Sequence, residues 1–342
     1  MFNVKSLRLM YSYLTNRKQR VKIGSYKSSQ SNVKIGVPQG SVLGPLLFNI
    51  FLNDLFYMKL DSEICNFADD NTVYSCGTRI SEITTNLEND LSKLLNWFYA
   101  NGMVANPDKF QLMFLGLNEK HKLRLNIKGE KISSTEHVKL LGIEIDNQLR
   151  FNKHVKTLCD KTNRKVSAFR RLNVYLSREQ AMKLCNTVII SSFNYCPLVW
   201  MFCGKDANHK INRTHKRALR TLHNDYDSSF DTLLEKSDTV TIHIKNLQKL
   251  MLEIYKSMSH LNPSYIWHLH ERKEIQYDLR TKHLCKLPIT RTIKFGMESL
   301  SFRGSLLSNN LNDEIKELLT VASFKRKIKT WTGDQCNCRI CK

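Results

Sequence analysis

The chain has 342 residues, 42% hydrophobic and 25% charged, a balance ordinary for a globular protein and enough for two or three domains with real cores. Lys and Arg total 53 against 31 Asp and Glu, a formal net charge of +22 (53 − 31) that points to a polyanion partner, because phosphate neutralisation releases counterions. Residues 1–30 lack the apolar core of a secretory signal and no stretch is long and apolar enough to span a membrane, so neither a secreted nor a membrane protein is expected.

Residues 4–15 read as a helix, with Val4, Leu7, Leu9, Met10 and Leu14 apolar and Arg17-Lys18 just past its end. Short strands are expected over 21–23 and 33–35, around a Ser-rich turn. Val37-Pro38-Gln39-Gly40 is a breaker. The apolar run 42–57 predicts a buried helix with Pro45 in its first turn. Next comes Phe67-Ala68-Asp69-Asp70, closing the apolar run 64–68 and followed by Asn71 and the β-rich Thr72-Val73-Tyr74. This predicts a hairpin with the acids at its tip and Asn71 in the turn. Adjacent aspartates repel unless a cation lies between them, and a divalent ion that positions phosphates is the commonest use of such a pair. The reading is phosphoryl transfer on a nucleic acid.

Ile83, Leu87, Leu91, Leu94, Leu95 and Phe98 share a face, predicting an amphipathic helix over 82–98 that Asn101-Gly102 closes. Strands are expected over 110–115, 123–127 and 138–145, so residues 1–147 read as α+β. Beyond about residue 150 the pattern becomes mainly helical. Phe151, Val155, Leu158, Val166, Phe169 and Leu172 recur at helical spacing, with Lys153, Lys156, Lys161, Arg164, Lys165, Arg170 and Arg171 between them. Such a helix can pack on its own domain and offer charge to a phosphate backbone; an ordinary solvated face accounts for the pattern equally well. Further helical segments are expected near 178–193, 208–223, 240–260 and 310–330, with basic clusters over 213–220 and 325–329. The run 187–203 is the most membrane-like, but Ser191, Ser192, Asn194 and Pro197 interrupt it. The ten scattered cysteines read as reduced thiols of an intracellular protein.

The setting of the Asp pair is more specific than the pair itself. Gly36-Val37-Pro38-Gln39-Gly40-Ser41-Val42-Leu43-Gly44-Pro45-Leu46-Leu47-Phe48, followed by Asn53-Asp54-Leu55, resembles the reverse transcriptase domain of non-LTR (LINE-type) retrotransposons. The first stretch is similar to that family's motif B and Phe67-Ala68-Asp69-Asp70 to its motif C. Asn106-Pro107-x-Lys109 resembles motif D, and Leu140-Leu141-Gly142 with Ile143 and Ile145 resembles motif E, the primer grip. Tyr195-Cys196-Pro197-Leu198-Val199-Trp200, Lys216-Arg217-Ala218-Leu219-Arg220 and the tail, where Phe324-Lys325 precedes Trp331 and Cys336-x-Cys338-x-x-Cys341, resemble jockey-like animal elements.

The resemblance implies an α+β fold, a partial right-hand polymerase palm of antiparallel sheet plus helices over 1–148. A helical thumb-like region over 149–230 and a helical extension over 231–342 ending in a Cys-rich tail would follow. It implies RNA-directed DNA polymerisation with Mg2+, or Mn2+, held by Asp69 and Asp70. Gln39, Gly40, Phe67 and Ala68 would face nucleotide and template, and Lys109 would assist the leaving pyrophosphate, although an ordinary exposed lysine is the more natural reading of that residue. Leu140, Leu141 and Gly142 would grip the primer; Lys153, Lys156, Arg164 and Lys165 would meet the nucleic-acid backbone. The implied partners are an RNA template, a DNA primer and deoxynucleoside triphosphates, in nucleus or cytoplasm.

One part of the family pattern is missing. A working palm needs a third carboxylate, from motif A, ahead of motif B, and residues 1–35 contain no Asp or Glu. Ser12-Tyr13-Leu14-x-Asn16-Arg17-Lys18-Gln19 resembles sequence that follows motif A. The expectation is therefore an N-terminally truncated, inactive polymerase; the alternative is a non-catalytic nucleic-acid-binding remnant of a mobile element. Cys336-x-Cys338-x-x-Cys341 offers at most three thiolates, and the nearest preceding histidine is His283, so a zinc site is the lesser reading beside a remnant of a longer nucleic-acid-binding tail or free thiols.

Overall fold

The computed structural model describes residues 3–116, 123–273, 284–334 and 336–341. The chain divides into two units, Met1–Leu112 with Lys122–Ser134, and Met113–His121 with Thr135–Lys342. His283 lies outside the described residues.

In the first unit, Asn3 caps α1 (Val4–Leu14) by accepting the Ser6 N–H at 2.8 Å. Strands β1 (Arg17–Gln19) and β4 (Ser31–Val33) pair antiparallel and bracket a smaller hairpin of β2 (Lys22–Ile23) and β3 (Tyr26–Lys27). A glycine-rich loop leads to α2 (Gly44–Leu52), which opens on Pro45 and continues as a 3-10 turn over Asn53–Tyr57. Hairpin β5 (Glu63–Phe67)–β6 (Asp70–Tyr74) follows, then the long α3 (Ile80–Ala100), then hairpin β7 (Arg124–Ile127)–β8 (Glu130–Ser133). One face of α3 serves two small cores. Ile83 and Leu87 pack with Leu125 and Ile127, and Leu94 packs with Leu52 and Leu55.

Several expectations are corrected here. The segment 42–57 is not a buried helix: only Gly44, Leu52 and Leu55 are buried, while Leu46, Ile50, Phe51 and Phe56 are exposed. Its apolar residues surround the helix, and α3 covers one narrow side. Residues 110–115 form no strand, only a bridge from Leu112 to Ser134. The stretch 138–145 is a hairpin rather than one strand, because Leu141-Gly142 adopts left-handed backbone, φ 46° and 83°. No continuous sheet forms among the described residues; the strands pair as five separate two-stranded ribbons.

The acidic hairpin is tied to α3 through one carboxylate. Buried Asp90 accepts the backbone N–H groups of Asp61 and Ser62, both at 2.8 Å, and the Lys93 ammonium at 2.9 Å. These bonds fix the chain just before β5 begins.

The second unit starts with β9 (His137–Leu140) and β10 (Ile143–Asp146). The buried Asp146 carboxylate accepts the N–H groups of Gln148 (3.1 Å), Arg150 (3.0 Å) and Phe151 (2.6 Å), turning the chain into α4 (Asn152–Asn173). A Ser177–Gln180 capping box starts α5 (Arg178–Leu184), which runs on as one π turn, Cys185–Ile189, and a 3-10 turn, Ile190–Asn194. Then come α6 (Pro197–Trp200), α7 (Lys205–His223), α8 (Phe230–Lys236), α9 (Ile242–Met258) and α10 (Ser264–Trp267). A π turn at Ile293–Met297 precedes α11 (Leu300–Asn309), α12 (Asp313–Lys316) and α13 (Val321–Ile328).

Two cores organise this unit. In one, Val155, Val166 and Phe169 of α4 pack with Ile211, Ala218 and Leu219 of α7 around Phe193 and Trp200. Leu172, expected on that face, is exposed because the stripe rotates away at the helix end. In the other, Leu247, Leu250, Met251 and Ile254 of α9 pack with Leu307, Phe324, Ile328 and Trp331, and with Cys336 and Cys338.

Burial works to raise the Asp90 pKa, but the bonds from Lys93 and Ser62 prevail and hold it below its ordinary 3.8. A lowered folded-state pKa stabilises the fold above the ordinary carboxylate range, and that contribution is lost as pH falls through the lowered value. Asp90→Ala is therefore expected to cost roughly 2 kcal/mol at neutral pH, by leaving the buried Ser62 N–H without a partner and removing the bonds to Asp61 N–H and Lys93. Denaturant titrations should show this penalty shrinking only below about pH 3.8.

Candidate nucleic-acid and metal sites

The register of β5–β6 opposes Phe67 to Asp70 and leaves Ala68-Asp69 as a two-residue turn, with Ala68 at φ 54°. Asn71 is thus a strand residue, not the turn. Its side chain accepts from Asn66 Nδ2 at 2.5 Å across the ladder and donates to the Asp69 carbonyl at 3.2 Å. Both bonds brace the tip. Asp69, Asp70 and Phe67 are all exposed, so the carboxylates form an open acidic point. No third carboxylate gathers with them among the described residues. The pair can supply two oxygens to a hard divalent ion, with water completing the shell, but does not enclose one.

Gln39 and Gly40 lie on an exposed turn whose shape depends on glycine. Gly40 has φ 79°, and Ser41 N–H returns to the Pro38 carbonyl at 3.2 Å. Ser41 Oγ then accepts the Gly44 N–H at 3.1 Å; a Cβ on the buried Gly44 would come within 2.9 Å of that oxygen. Arg17 anchors the loop by donating to the carbonyls of Leu14, Ile35 and Gly36. Lys109 ends an exposed 3-10 turn, Pro107–Lys109, capped where Asn106 Oδ1 accepts the Asp108 N–H at 3.0 Å.

Leu140, Leu141 and Gly142 form the tip of the β9–β10 hairpin in the second unit. Tyr195 Oη donates to the Leu141 carbonyl at 2.5 Å, and its ring lies beside Gly142. Trp200 Nε1 in turn donates to the Tyr195 carbonyl at 3.2 Å. The Tyr-Cys-Pro segment is thereby the support of that tip, a role the sequence pattern alone does not disclose. His154 continues the contact: it packs on Trp200 and accepts the Glu144 N–H at 3.4 Å, and burial lowers its pKa.

The basic face of α4 is partly engaged within the protein. Lys153 pairs with Glu144 at 3.0 Å, and Lys165 donates to Ser192 Oγ at 2.8 Å and the Val188 carbonyl at 3.2 Å. Lys156 and Arg164 are exposed. Arg217 of α7 reaches across to Asn163 and Ser167 of α4 at 3.1 and 3.0 Å.

The tail holds a cluster that sequence spacing hides. Cys336, Cys338 and Cys341 converge with His243 of α9, and one donor atom from each lies within 4.8 Å of all the others. The missing fourth donor is thus supplied from 93 positions before Cys336. His243, Cys336 and Cys338 are buried and Cys341 is exposed. The Cys336 and Cys341 thiols, followed by His243, pull the Cys338 pKa below its ordinary value.

A family model described as reverse transcriptase (RNA-dependent DNA polymerase) matches residues 1–145. Among curated proteins, the chain is 29% identical over 221 residues to "RNA-directed DNA polymerase from mobile element jockey" of Drosophila melanogaster, covering 62% of this chain and 24% of that one. It is 26% identical over 229 residues to "Probable RNA-directed DNA polymerase from transposon BS" of the same organism, covering 63% and 25%. It is 23% identical over 180 residues to "Retrovirus-related Pol polyprotein from type-1 retrotransposable element R1 2" of Nasonia vitripennis, covering 48% and 43%. No solved structure matches. The first 145 residues are therefore reverse transcriptase sequence, and they are of the non-LTR retrotransposon type. The chain spans about a quarter of the length of the first two of these relatives.

Tyr195→Phe is expected to cost about 1 kcal/mol, one hydrogen bond, and to loosen the hairpin tip. Hydrogen exchange should quicken at residues 141–143 and stay unchanged at 64–74, which lie in the other unit.

Proposed function

We propose that residues 1–145 provide the motif B to motif E part of an RNA-directed DNA polymerase, with Asp69 and Asp70 as its metal-holding carboxylates. The observation that carries this reading is the two-residue turn that presents both acids, exposed and braced by Asn71, at the tip of a ribbon anchored through Asp90. The family uses divalent ions, and Mg2+ suits two hard carboxylate oxygens. When bound, Mg2+ would activate a primer 3′-hydroxyl and neutralise the triphosphate. Asp69 is the direct ligand in this reading and Asp70 the supporting one. The Gln39-Gly40 turn faces the incoming nucleotide and template, where backbone must come close to a base. Lys109 steadies the pyrophosphate. In the second unit the Tyr195-supported tip, Leu140 to Gly142, contacts the primer, and α4 tracks the nucleic-acid backbone as part of a helical thumb.

A complete two-ion centre needs a third carboxylate. Residues 1–53 hold no Asp or Glu, and none of the later acids gathers with the pair among the described residues. The 342-residue chain alone is therefore expected to extend a primer on an RNA template in Mg2+ no faster than background. Joined to an upstream segment bearing a Phe-x-Asp strand, it should extend the primer, and Asp69→Ala should abolish this, a loss of at least about 1000-fold. Extension that survives Asp69→Ala would overturn the assignment of the acids.

Binding makes a separate prediction. Affinity for a primed RNA template should fall steeply with salt, whether or not Mg2+ is present. Lys156→Ala and Arg164→Ala should each lower the log–log salt slope by about 1. Lys165→Ala, whose ammonium already bonds Ser192 and Val188, should change it less.

A further inference from the structure

We propose that His243, Cys336, Cys338 and Cys341 bind one structural Zn2+ that fastens the tail to α9. The distances match the edges of a tetrahedral site. His243 Nε2 lies 4.0, 3.5 and 3.4 Å from the sulfurs of Cys336, Cys338 and Cys341, and the Cys338 and Cys341 sulfurs are 3.7 Å apart. Zinc bonds of about 2.3 Å to sulfur and about 2.0 Å to nitrogen give tetrahedral edges of roughly 3.5–3.8 Å. A disulfide needs about 2.0 Å between sulfurs, well short of what is found.

The surroundings have the form of a metal-binding turn. The Ile340 N–H points to Cys338 Sγ at 3.4 Å, a bond that favours thiolate over thiol, and the Cys341 N–H closes the turn on the Cys338 carbonyl at 3.1 Å. Cys336 N–H bonds the Gly333 carbonyl at 2.8 Å. Gly333 itself has φ 79°, and a Cβ there would approach Leu247 Cδ1 to 3.1 Å, so glycine lets the tail lie against α9. Gln248 of α9 donates to the carbonyls of Lys329 and Trp331 at 3.1 and 2.9 Å, seating the chain just before the cysteines. Arg303 Nη1 donates to the Asn337 carbonyl at 2.9 Å between the first two thiols. The turn that carries the three cysteines is thus seated on α9 and α11 largely by backbone contacts outside the donor atoms.

Donor chemistry selects the ion. Three thiolates and one imidazole are a soft, nitrogen-containing set that suits zinc and disfavours magnesium or calcium. Four protein ligands leave no open position, which makes the site structural rather than catalytic. Binding at Nε2 places the ring proton on His243 Nδ1, which is buried without a hydrogen-bond partner, so packing alone orients the ring. The site is independent of Asp69 and Asp70 and of the polymerase reading.

The test is metal analysis of the full chain purified under reducing conditions from zinc-containing medium. One zinc per chain is expected. Cys338→Ser and His243→Ala should retain at least about tenfold less. His243→Cys, which restores a four-donor soft set, should keep the metal, as should Cys285→Ser, a buried thiol outside the cluster. Cobalt put in place of zinc should give the intense visible absorption of a tetrahedral thiolate complex, which decides the matter on the wild-type chain even if the variants fail to fold. A folded chain without metal, a pale octahedral cobalt spectrum, or a native disulfide between Cys338 and Cys341 would overturn the proposal.

Discussion

Helix α4 can bury its apolar stripe only if α7 lies along it, and most of the larger unit is arranged around that pairing. The stripe carries small polar residues as well as aliphatic ones, and their amide donors are matched across the pairing. Asn163 meets Thr214 at 3.3 Å, and Asn173 Nδ2 reaches the Thr221 carbonyl at 2.7 Å. Because these donors are satisfied, the helices can approach closely without leaving a buried N–H in apolar surroundings. Asn173 Oδ1 and the ring of His215 stay unbonded: His215 is fully buried against Phe230, neither ring nitrogen has a partner, and burial pushes its pKa down to about 3. It remains a neutral ring serving as an apolar filler. The ends of the pairing then set everything attached to them. The start of α4 fixes the β9–β10 hairpin through Asp146, and Trp200, packed against the same core, supports Tyr195.

The smaller unit is built differently. Its two apolar clusters share one helix, and much of its hydrophobic surface faces outward, from Leu9 and Tyr11 in α1 to Phe51 in α2 and Tyr57 beyond it. Short ribbons rather than a sheet carry its motifs, so local bonds must do what sheet neighbours would do elsewhere. Asp90 holds the entry to the acidic hairpin, and Arg17 holds the loop that leads to the Gln39-Gly40 turn. Both are side chains bonding to backbone. Such bonds fix where a loop sits even when little core lies beneath it.

What the sequence discloses follows this division. Helix positions were legible wherever a stripe recurs over many residues, as in α3, α4, α7 and α9, because periodicity reports burial directly. The acidic hairpin was legible too, since two β-rich runs flank adjacent aspartates. The acids stand at its tip as the pattern predicts, but Asn71, a turn residue by propensity, is in the strand because the ladder puts the break at Ala68-Asp69. The 138–145 hairpin read as one strand since nothing but Gly142 breaks its β character. Exposure of α2 was invisible: a helix apolar on every side predicts burial, whatever its neighbours provide. The tail cluster was half legible. Three cysteines at short spacing are a signal, but His243 belongs to a helix far upstream and looks like any other residue on a buried face. Only folding brings it near.

That distance has a consequence for how the protein assembles. The ring formed by His243 and the tail spans 93 residues, and closing a flexible loop of that length costs roughly 4 kcal/mol in chain entropy. The contact cannot nucleate folding; it can form cheaply only after α9, α11 and α13 have already shortened the path between its ends. The tail contact should therefore be the last part of the larger unit to become kinetically locked, and the first to open when the chain is stressed.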